Sequence, residues 1–334
     1  MTQAQSSGDV GGAEVVADLV ARARAGQPRA VARLVSMVES AAPQLREVMS
    51  ALAPDSGKAY VIGITGAPGV GKSTTTSALV RAYRAAGQRV GVLAVDPSSP
   101  FSGGALLGDR VRMQEHATDP NVFIRSMASR GHLGGLAAAT PQALRVLDAT
   151  GVDVVLVETV GVGQSEIEVA AAVDTTLVLL APGMGDGIQA AKAGILEIGD
   201  VFGVNKADRD GASATARELR SMVALGNRQA GDWVPEVVSF SAATGQGIDA
   251  LLVALAAHRD YLLGGARLLE RRVRRAAAEV EALTVATLRA RIGEVRGDAR
   301  LESLARSVAE GRTDAYTAAD RLAEALAGSE KMAP

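Results

Sequence analysis

Residues 61–80 read VIGITGAPGVGKSTTTSALV, and the change of texture across that stretch decides the fold. An apolar run of strand length gives way to a glycine-rich turn and then to a helix-length pattern. Gly66, Gly71, Lys72 and Ser73 fall at the positions of G-x-x-x-x-G-K-[ST]. Gly66, Gly69 and Gly71, with Ala67, Pro68 and Val70 between them, let the backbone curl until successive N–H groups point inward. They would face phosphate oxygens beside the positive end of the helix that begins there. Lys72 is expected to neutralise the β- and γ-phosphates, Ser73 to offer a hydroxyl to Mg²⁺, and Thr74 to donate to the α-phosphate. A glycine-rich turn without a ligand is the bland reading, and the agreement of strand, loop and helix speaks against it.

Outward from this loop, short apolar runs alternate with helix-length patterns, the signature of a parallel sheet covered on both faces. Strands are predicted at Tyr60–Thr65, Val90–Asp96, Val122–Ser126, Asp153–Glu158, Thr175–Ala181, Val201–Asn205 and Glu236–Ser241. Helices are predicted at Lys72–Ala86, Leu136–Ala149, Ser165–Ala172, Gly187–Glu197, Ala212–Ala224 and Ile248–Leu262. The fold class is α/β, a doubly wound, mostly parallel sheet occupying residues 58–264, with its ligand at the carboxyl ends of the strands. Residues 1–12 are rich in Gln, Ser and Gly and read as a disordered lead. Residues 13–57 read as a helical extension, one helix over Ala13–Ala25 and another running from Pro28 towards Leu52. Residues 265–334 read as a helical arm whose long first helix carries a stripe of Leu269, Val273, Ala276, Val280 and Leu283. That stripe could pack on its own domain or on a second copy of the chain. Helices over Arg300–Ala309 and Thr313–Ala327 follow.

A second motif bears on the base. Asn205, Lys206, Ala207 and Asp208 stand at a strand end roughly 130 residues after the loop, on a later strand of the same sheet. A carboxylate at Asp208 can accept from the N1–H and exocyclic amine of guanine, a donor pair that adenine lacks. Lys206 would lie along the purine face and Asn205 would brace the loop, while Ser241 and Ala242, at the end of the next strand, would back the base. Three carboxylates fall where a γ-phosphate and its Mg²⁺ would be: Asp96 and Glu158 at strand ends and Asp109 in the loop between them. Gly161 follows Glu158 at the D-x-x-G spacing of a GTPase switch, with glutamate in place of aspartate and Val162 where Ras-like proteins have glutamine. Slow GTP hydrolysis is expected, and either Gln164 or a carboxylate could position the water.

Composition narrows the classes. With 35 Lys and Arg against 37 Asp and Glu, the net charge is −2, and no basic stretch suggests nucleic acid or an anionic membrane. The chain has no cysteine, and its three histidines, His116, His132 and His258, are scattered, which disfavours a soft-metal carrier. Neither a spanning apolar run nor a signal-peptide pattern is visible, so a cytoplasmic protein is expected.

Taken in order, PSSPFSGGALLGDRVRM after the strand ending in Asp96, ETVGVGQSE from Glu158, PGMGDGIQAAKAGILEI and NKAD resemble the methylmalonyl-CoA mutase-associated GTPases of the MeaB/ArgK type. These belong to the SIMIBI class of P-loop GTPases, the group that includes metallochaperones and signal-recognition particle proteins, and the resemblance covers Ala13–Ala327. It implies a homodimeric G-protein chaperone. Such a protein acts on adenosylcobalamin-dependent methylmalonyl-CoA mutase, gating cofactor delivery from the cobalamin adenosyltransferase and protecting the mutase from inactivation. It would bind GTP or GDP with Mg²⁺ and no cobalamin itself. The resemblance further implies switches at Pro97–Met113, Glu158–Glu166 and Gly183–Gly194, the third carrying Asp186, Gln189 and Lys192 towards the partner, and it makes the helix after Gly265 a dimerisation arm. Three alternatives stand beside it. A kinase linked to arginine and ornithine transport could use the same loop but leaves Asp208 unexplained. A metallochaperone-type GTPase lacks its Cys or His cluster. A module that only holds nucleotide would not need the carboxylates.

Overall fold

The structure, a computed structural model, describes residues 7–97, 114–116, 118–129, 135–159, 170–183, 195–226, 229, 231–292 and 298–329. The chain divides into two compact units, Met1–Ala276 and Ala277–Pro334. The division falls inside the long arm helix rather than at Gly264 and Gly265.

The first unit is built on seven strands: β1 (Tyr60–Gly66), β2 (Val90–Pro97), β3 (Val122–Ser129), β4 (Val154–Thr159), β5 (Thr175–Leu180), β6 (Val201–Val204) and β7 (Glu236–Ser239). They form one sheet in the order β3-β2-β4-β1-β5-β6-β7, every pair parallel. Each predicted strand is present. The reason they are legible is that both faces are covered, so the central strands are apolar at nearly every position instead of alternating.

Among the described residues, the helices of this unit are α1 (Ser7–Arg24), α2 (Pro28–Glu39), α3 (Leu45–Leu52), α4 (Lys72–Ala85), α5 (Gly135–Ala149), the single turn α6 (Ile195–Ile198), α7 (Ala212–Ala224) and α8 (Ile248–Leu263). On one face, Ile62, Ile64, Val92, Leu156 and Leu177 pack with Leu79 of α4 and Leu251 and Leu255 of α8. On the other face, Val61, Leu93, Val155 and Val157 meet α1, α2, α3 and α5, and Val178, Phe202 and Val204 meet α7. The N-terminal helices therefore complete the sheet's own core.

Two local readings change. Helix α1 starts at Ser7, inside the stretch expected to be a disordered lead; burial of Val16 and Val20 supplies the nucleus, and extending a helix costs little once it is nucleated. The predicted helix from Pro28 towards Leu52 is two helices. Pro43 keeps the residue before it out of helical geometry, and α2 closes with Ala41 in the left-handed region at φ 47°. The Ala42 N–H reaches the Met37 carbonyl at 3.0 Å and the Ala41 N–H the Val38 carbonyl at 3.2 Å, the bond pattern of a glycine cap made with alanine.

At the foot of the sheet, α9 (Arg267–Ile292) begins in a polar socket. Arg272 donates to Asp174 from Nη2 at 2.7 Å and Nε at 3.1 Å and to the Ala59 carbonyl at 2.9 Å. Arg271 grips both oxygens of Asp200 at 2.8 and 3.1 Å, and Arg275 reaches the Ala172 carbonyl at 2.8 Å. Asp174 and Asp200 directly precede β5 and β6, so α9 is rooted at the end of the sheet opposite the phosphate loop. In the second unit, α10 (Ala299–Ala309) packs on α11 (Ala315–Ser329), and Asp298 caps α10 by accepting from the Arg300 N–H at 2.8 Å. Among the described residues, no helix is long and apolar enough to cross a membrane.

Two stability outcomes are expected. Ala41→Gly should raise the unfolding free energy by about 0.5–1 kcal/mol, because a left-handed alanine is strained, and should move the urea midpoint upward at unchanged slope. A lower midpoint would show that the cap carries no strain. Asp174→Ala should cost about 3–5 kcal/mol, since it leaves the partly buried Arg272 guanidinium with backbone carbonyls but without the carboxylate that balances its charge; thermal unfolding within about a degree of the parent would contradict the socket's importance.

Candidate functional site

The loop between β1 and α4 sits at the carboxyl end of the sheet's central strand. Its glycines do separate jobs. Gly66 has φ 141°, and a Cβ there would lie 2.3 Å from the Leu179 carbonyl oxygen of β5. Gly71 has φ 95°, and a Cβ there would lie 2.4 Å from the Asn205 amide nitrogen. The first glycine lets the loop leave the sheet and the second makes room for a side chain arriving from β6.

That side chain, buried Asn205, joins three segments. Its Nδ2 donates to the Val70 carbonyl at 2.8 Å, and its Oδ1 accepts from the N–H groups of Lys206 at 2.8 Å and Ala242 at 3.0 Å. Lys206 lies beside it with φ 59° and donates from Nζ to the Gly69 carbonyl at 2.7 Å. The Ala207 N–H bonds the Phe240 carbonyl at 3.0 Å. The predicted residues Asn205, Lys206, Ser241 and Ala242 are thus gathered against Gly69 and Val70. Asp208 is exposed beside them. The Ser241 hydroxyl is close enough to hold its carboxyl below the usual carboxylate range, helped by its own backbone N–H, although no full hydrogen bond forms between the two side chains. Asp208 is therefore an ionised acceptor near neutral pH.

On the other side of the loop, buried Lys72 donates from Nζ to the carbonyls of Gly66 at 2.7 Å and Ala67 at 3.2 Å. Ser73 donates to Oε1 of Glu158 at 2.5 Å, and Thr76 donates to Oε2 of the same carboxylate at 2.9 Å. Thr74 is exposed at the mouth of the helix. Asp96 stands on the same edge: Ala94 of β2 pairs with Glu158 of β4, which puts the Asp96 backbone two residues further along. Asp109, Gly161, Val162, Gln164, Asp186, Gln189 and Lys192 lie outside the described residues.

The sequence reading does not single out Thr76. The available signal is the run Thr75, Thr76 and Ser77, three buried polar residues on a helix that packs on the sheet, where an apolar face is the ordinary pattern. The Ser77 hydroxyl also meets His116 Nε2 at 3.0 Å, and Arg81 and Arg84 pair with Glu115 and Asp119 at 2.9 and 2.8 Å. These contacts pin the segment that follows the first predicted switch onto α4.

Hard hydroxyl and carboxylate oxygens at Ser73 and Glu158 fit a small divalent cation of the Mg²⁺ type. Among the described residues no three His, Cys, Asp or Glu gather as a full protein cage.

Comparison with known proteins identifies the family. The family described as Methylmalonyl Co-A mutase-associated GTPase MeaB matches residues 31–296. A Pyrococcus abyssi protein named as a GTPase is 44% identical over 317 residues, covering 94% of this chain and 98% of that one. The mouse protein named Methylmalonic aciduria type A homolog, mitochondrial, is 36% identical over 264 residues, covering 74% of this chain and 64% of its own. The crystal structure of LAO/AO transport system kinase superposes with a TM-score of 0.71 at 28% identity, covering 93% of this chain and 97% of that one. A match over most of the chain, on a parallel sheet carrying the phosphate loop, makes this protein a GTPase belonging to the MeaB family.

Proposed function

We propose that this GTPase is a nucleotide-switched chaperone for an adenosylcobalamin-dependent methylmalonyl-CoA mutase, working in the cytoplasm as a homodimer. The observation that carries the nucleotide half is the tie between the two recognition loops. Asn205 and Lys206 bond the backbone of the phosphate loop itself, so the base side and the phosphate side form one rigid cleft. The mutase half rests on the family's name and on the mouse relative. Delivery of cofactor from a cobalamin adenosyltransferase is the step such a switch would gate.

In this reading Lys72 leaves the carbonyls of Gly66 and Ala67 for the β- and γ-phosphates, while the N–H groups of residues 69–74 line the phosphate chain. Thr74 donates to the α-phosphate. Asp208 accepts from guanine, Lys206 lies along the purine face, and Ser241 and Ala242 close the pocket behind it. Ser73, Glu158, Asp96 and Asp109 would hold Mg²⁺, which when bound neutralises charge on the phosphate oxygens. Glu158 is held by two hydroxyls, and either it, another of these carboxylates or Gln164 would orient the attacking water. Asp186, Gln189 and Lys192 would carry the nucleotide state to the mutase. The exposed Leu269, Val273, Val280 and Leu283 favour an arm that pairs with a second copy.

Lys72→Ala should weaken GTP binding about 10- to 100-fold, because it removes a charged hydrogen bond to phosphate, and should abolish turnover. Titration with a fluorescent GTP analogue and a phosphate-release assay check this; unchanged affinity would remove Lys72 from the site. Asp208→Asn should lower GTP affinity by roughly 10-fold or more and shift preference towards xanthosine triphosphate, whose carbonyl suits an amide donor. Competition between the two nucleotides decides it, and a preference that stays with guanine would exclude Asp208 from base recognition.

A further inference from the structure

Helix α4 buries a row of hydroxyls, and most of them have local explanations. Thr75 Oγ1 bonds the Gly71 carbonyl at 2.9 Å, one turn back, as hydroxyls in helices commonly do. Thr76 has the same option, with the Lys72 carbonyl at 3.0 Å, and so needs nothing beyond its own helix to be satisfied. It nevertheless lies 2.9 Å from Glu158 Oε2 with its side chain fully buried. Its single proton has two acceptors, and a carboxylate oxygen is a better one than a carbonyl already bonded within the helix.

Ser73 and Thr76 are three residues apart and so share a helix face. Ser73 holds Oε1 of Glu158 and Thr76 holds Oε2. Two donors on two oxygens fix the plane of a carboxylate, whereas one donor leaves its broad terminal torsion free. A glutamate also has one more torsion to fix than the aspartate of the usual D-x-x-G switch. We propose that Thr76 is a positioning residue for Glu158: it sets the carboxylate plane so that the Oε1 edge stays turned towards the Ser73 hydroxyl and the divalent cation. The proposal rests on the reading of Ser73 and Glu158 given above. Because the Thr76 contact is on the far oxygen, it persists when the Ser73 oxygen turns to the cation, and the glutamate keeps its aim through the nucleotide cycle.

The test is a cycle of variants read by how Mg²⁺ slows release of a fluorescent GDP analogue, with GTP turnover as a second readout. Thr76→Val keeps the shape and removes the hydroxyl. It should raise the Mg²⁺ concentration for half-maximal slowing about 10-fold, the scale of one hydrogen bond to a charged group, while GDP affinity in EDTA stays at the parent value. Thr76→Ser should restore the parent response. In a Glu158→Asp background, whose shorter side chain cannot reach Thr76, Thr76→Val should add no further shift. If Thr76→Val proves unstable in thermal unfolding, Thr76→Ala takes its place in the same cycle. A parent-like Mg²⁺ response in the valine variant overturns the proposal, and so does an equal shift in the Glu158→Asp background, which would make Thr76 merely structural. If GDP release from the parent protein ignores Mg²⁺ altogether, the cation-facing role of Ser73 and Glu158 fails first and takes the role of Thr76 with it.

Discussion

The Asn205 side chain is the constraint on which the cleft depends. The phosphate loop leaves β1 and the base-recognition loop leaves β6, and β5 lies between them, so no ladder hydrogen bond joins the two loops. One buried amide supplies the connection, with the Lys206 Nζ bond to the Gly69 carbonyl beside it. Its NH₂ donates to Val70, and its oxygen takes two N–H groups, one from its own loop and one from the loop after β7. The requirement runs in both directions. Asn205 needs Gly71 to have no side chain, and Gly71 in turn needs a positive φ to open α4 with its N–H groups facing outwards. The glycine thus answers to base recognition as well as to phosphate. The left-handed backbone of Lys206 costs about 1–2 kcal/mol for a residue with a Cβ, and the bonds made to Asn205 and Phe240 around it offset that strain.

Legibility follows the range of the interaction. All seven strands can be located from sequence, since burial on both faces writes itself into consecutive residues such as Val154, Val155, Leu156 and Val157. The phosphate loop and the Asn205 tetrad are equally visible, being local patterns at strand ends. The division of the second helix is visible in principle at Pro43 but is outweighed by an apolar periodicity that continues beyond it. Thr76 is out of reach for another reason: its partner is 82 residues away, and nothing in either segment states which helix turn faces which strand end. Asp186, Gln189 and Lys192 remain proposals from resemblance and Asp109 one from its place in the loop after Asp96, whereas Ser73 and Glu158 also have a geometry that brings them together and Lys72 one that holds it to the phosphate loop.

The foot of the sheet bears on how the arm works. An ordinary surface helix turns its apolar stripe inward and its charges outward. The first turns of α9 do the reverse. Arg271, Arg272 and Arg275 face the carboxylates that precede β5 and β6, while Leu269 and Val273 are more than half exposed. Specific pairs with two buried or half-buried aspartates therefore anchor the first turns of the helix, while Leu269 and Val273 stay largely in solvent. A stripe kept out of its own core is costly to leave in water and gains by meeting another apolar surface. In the homodimer proposed above, rooting the arm through charge would leave this apolar stripe for a second copy of the chain. It also places that root on the same two strands, β5 and β6, whose opposite ends lead to the Gly183 turn and to Asn205.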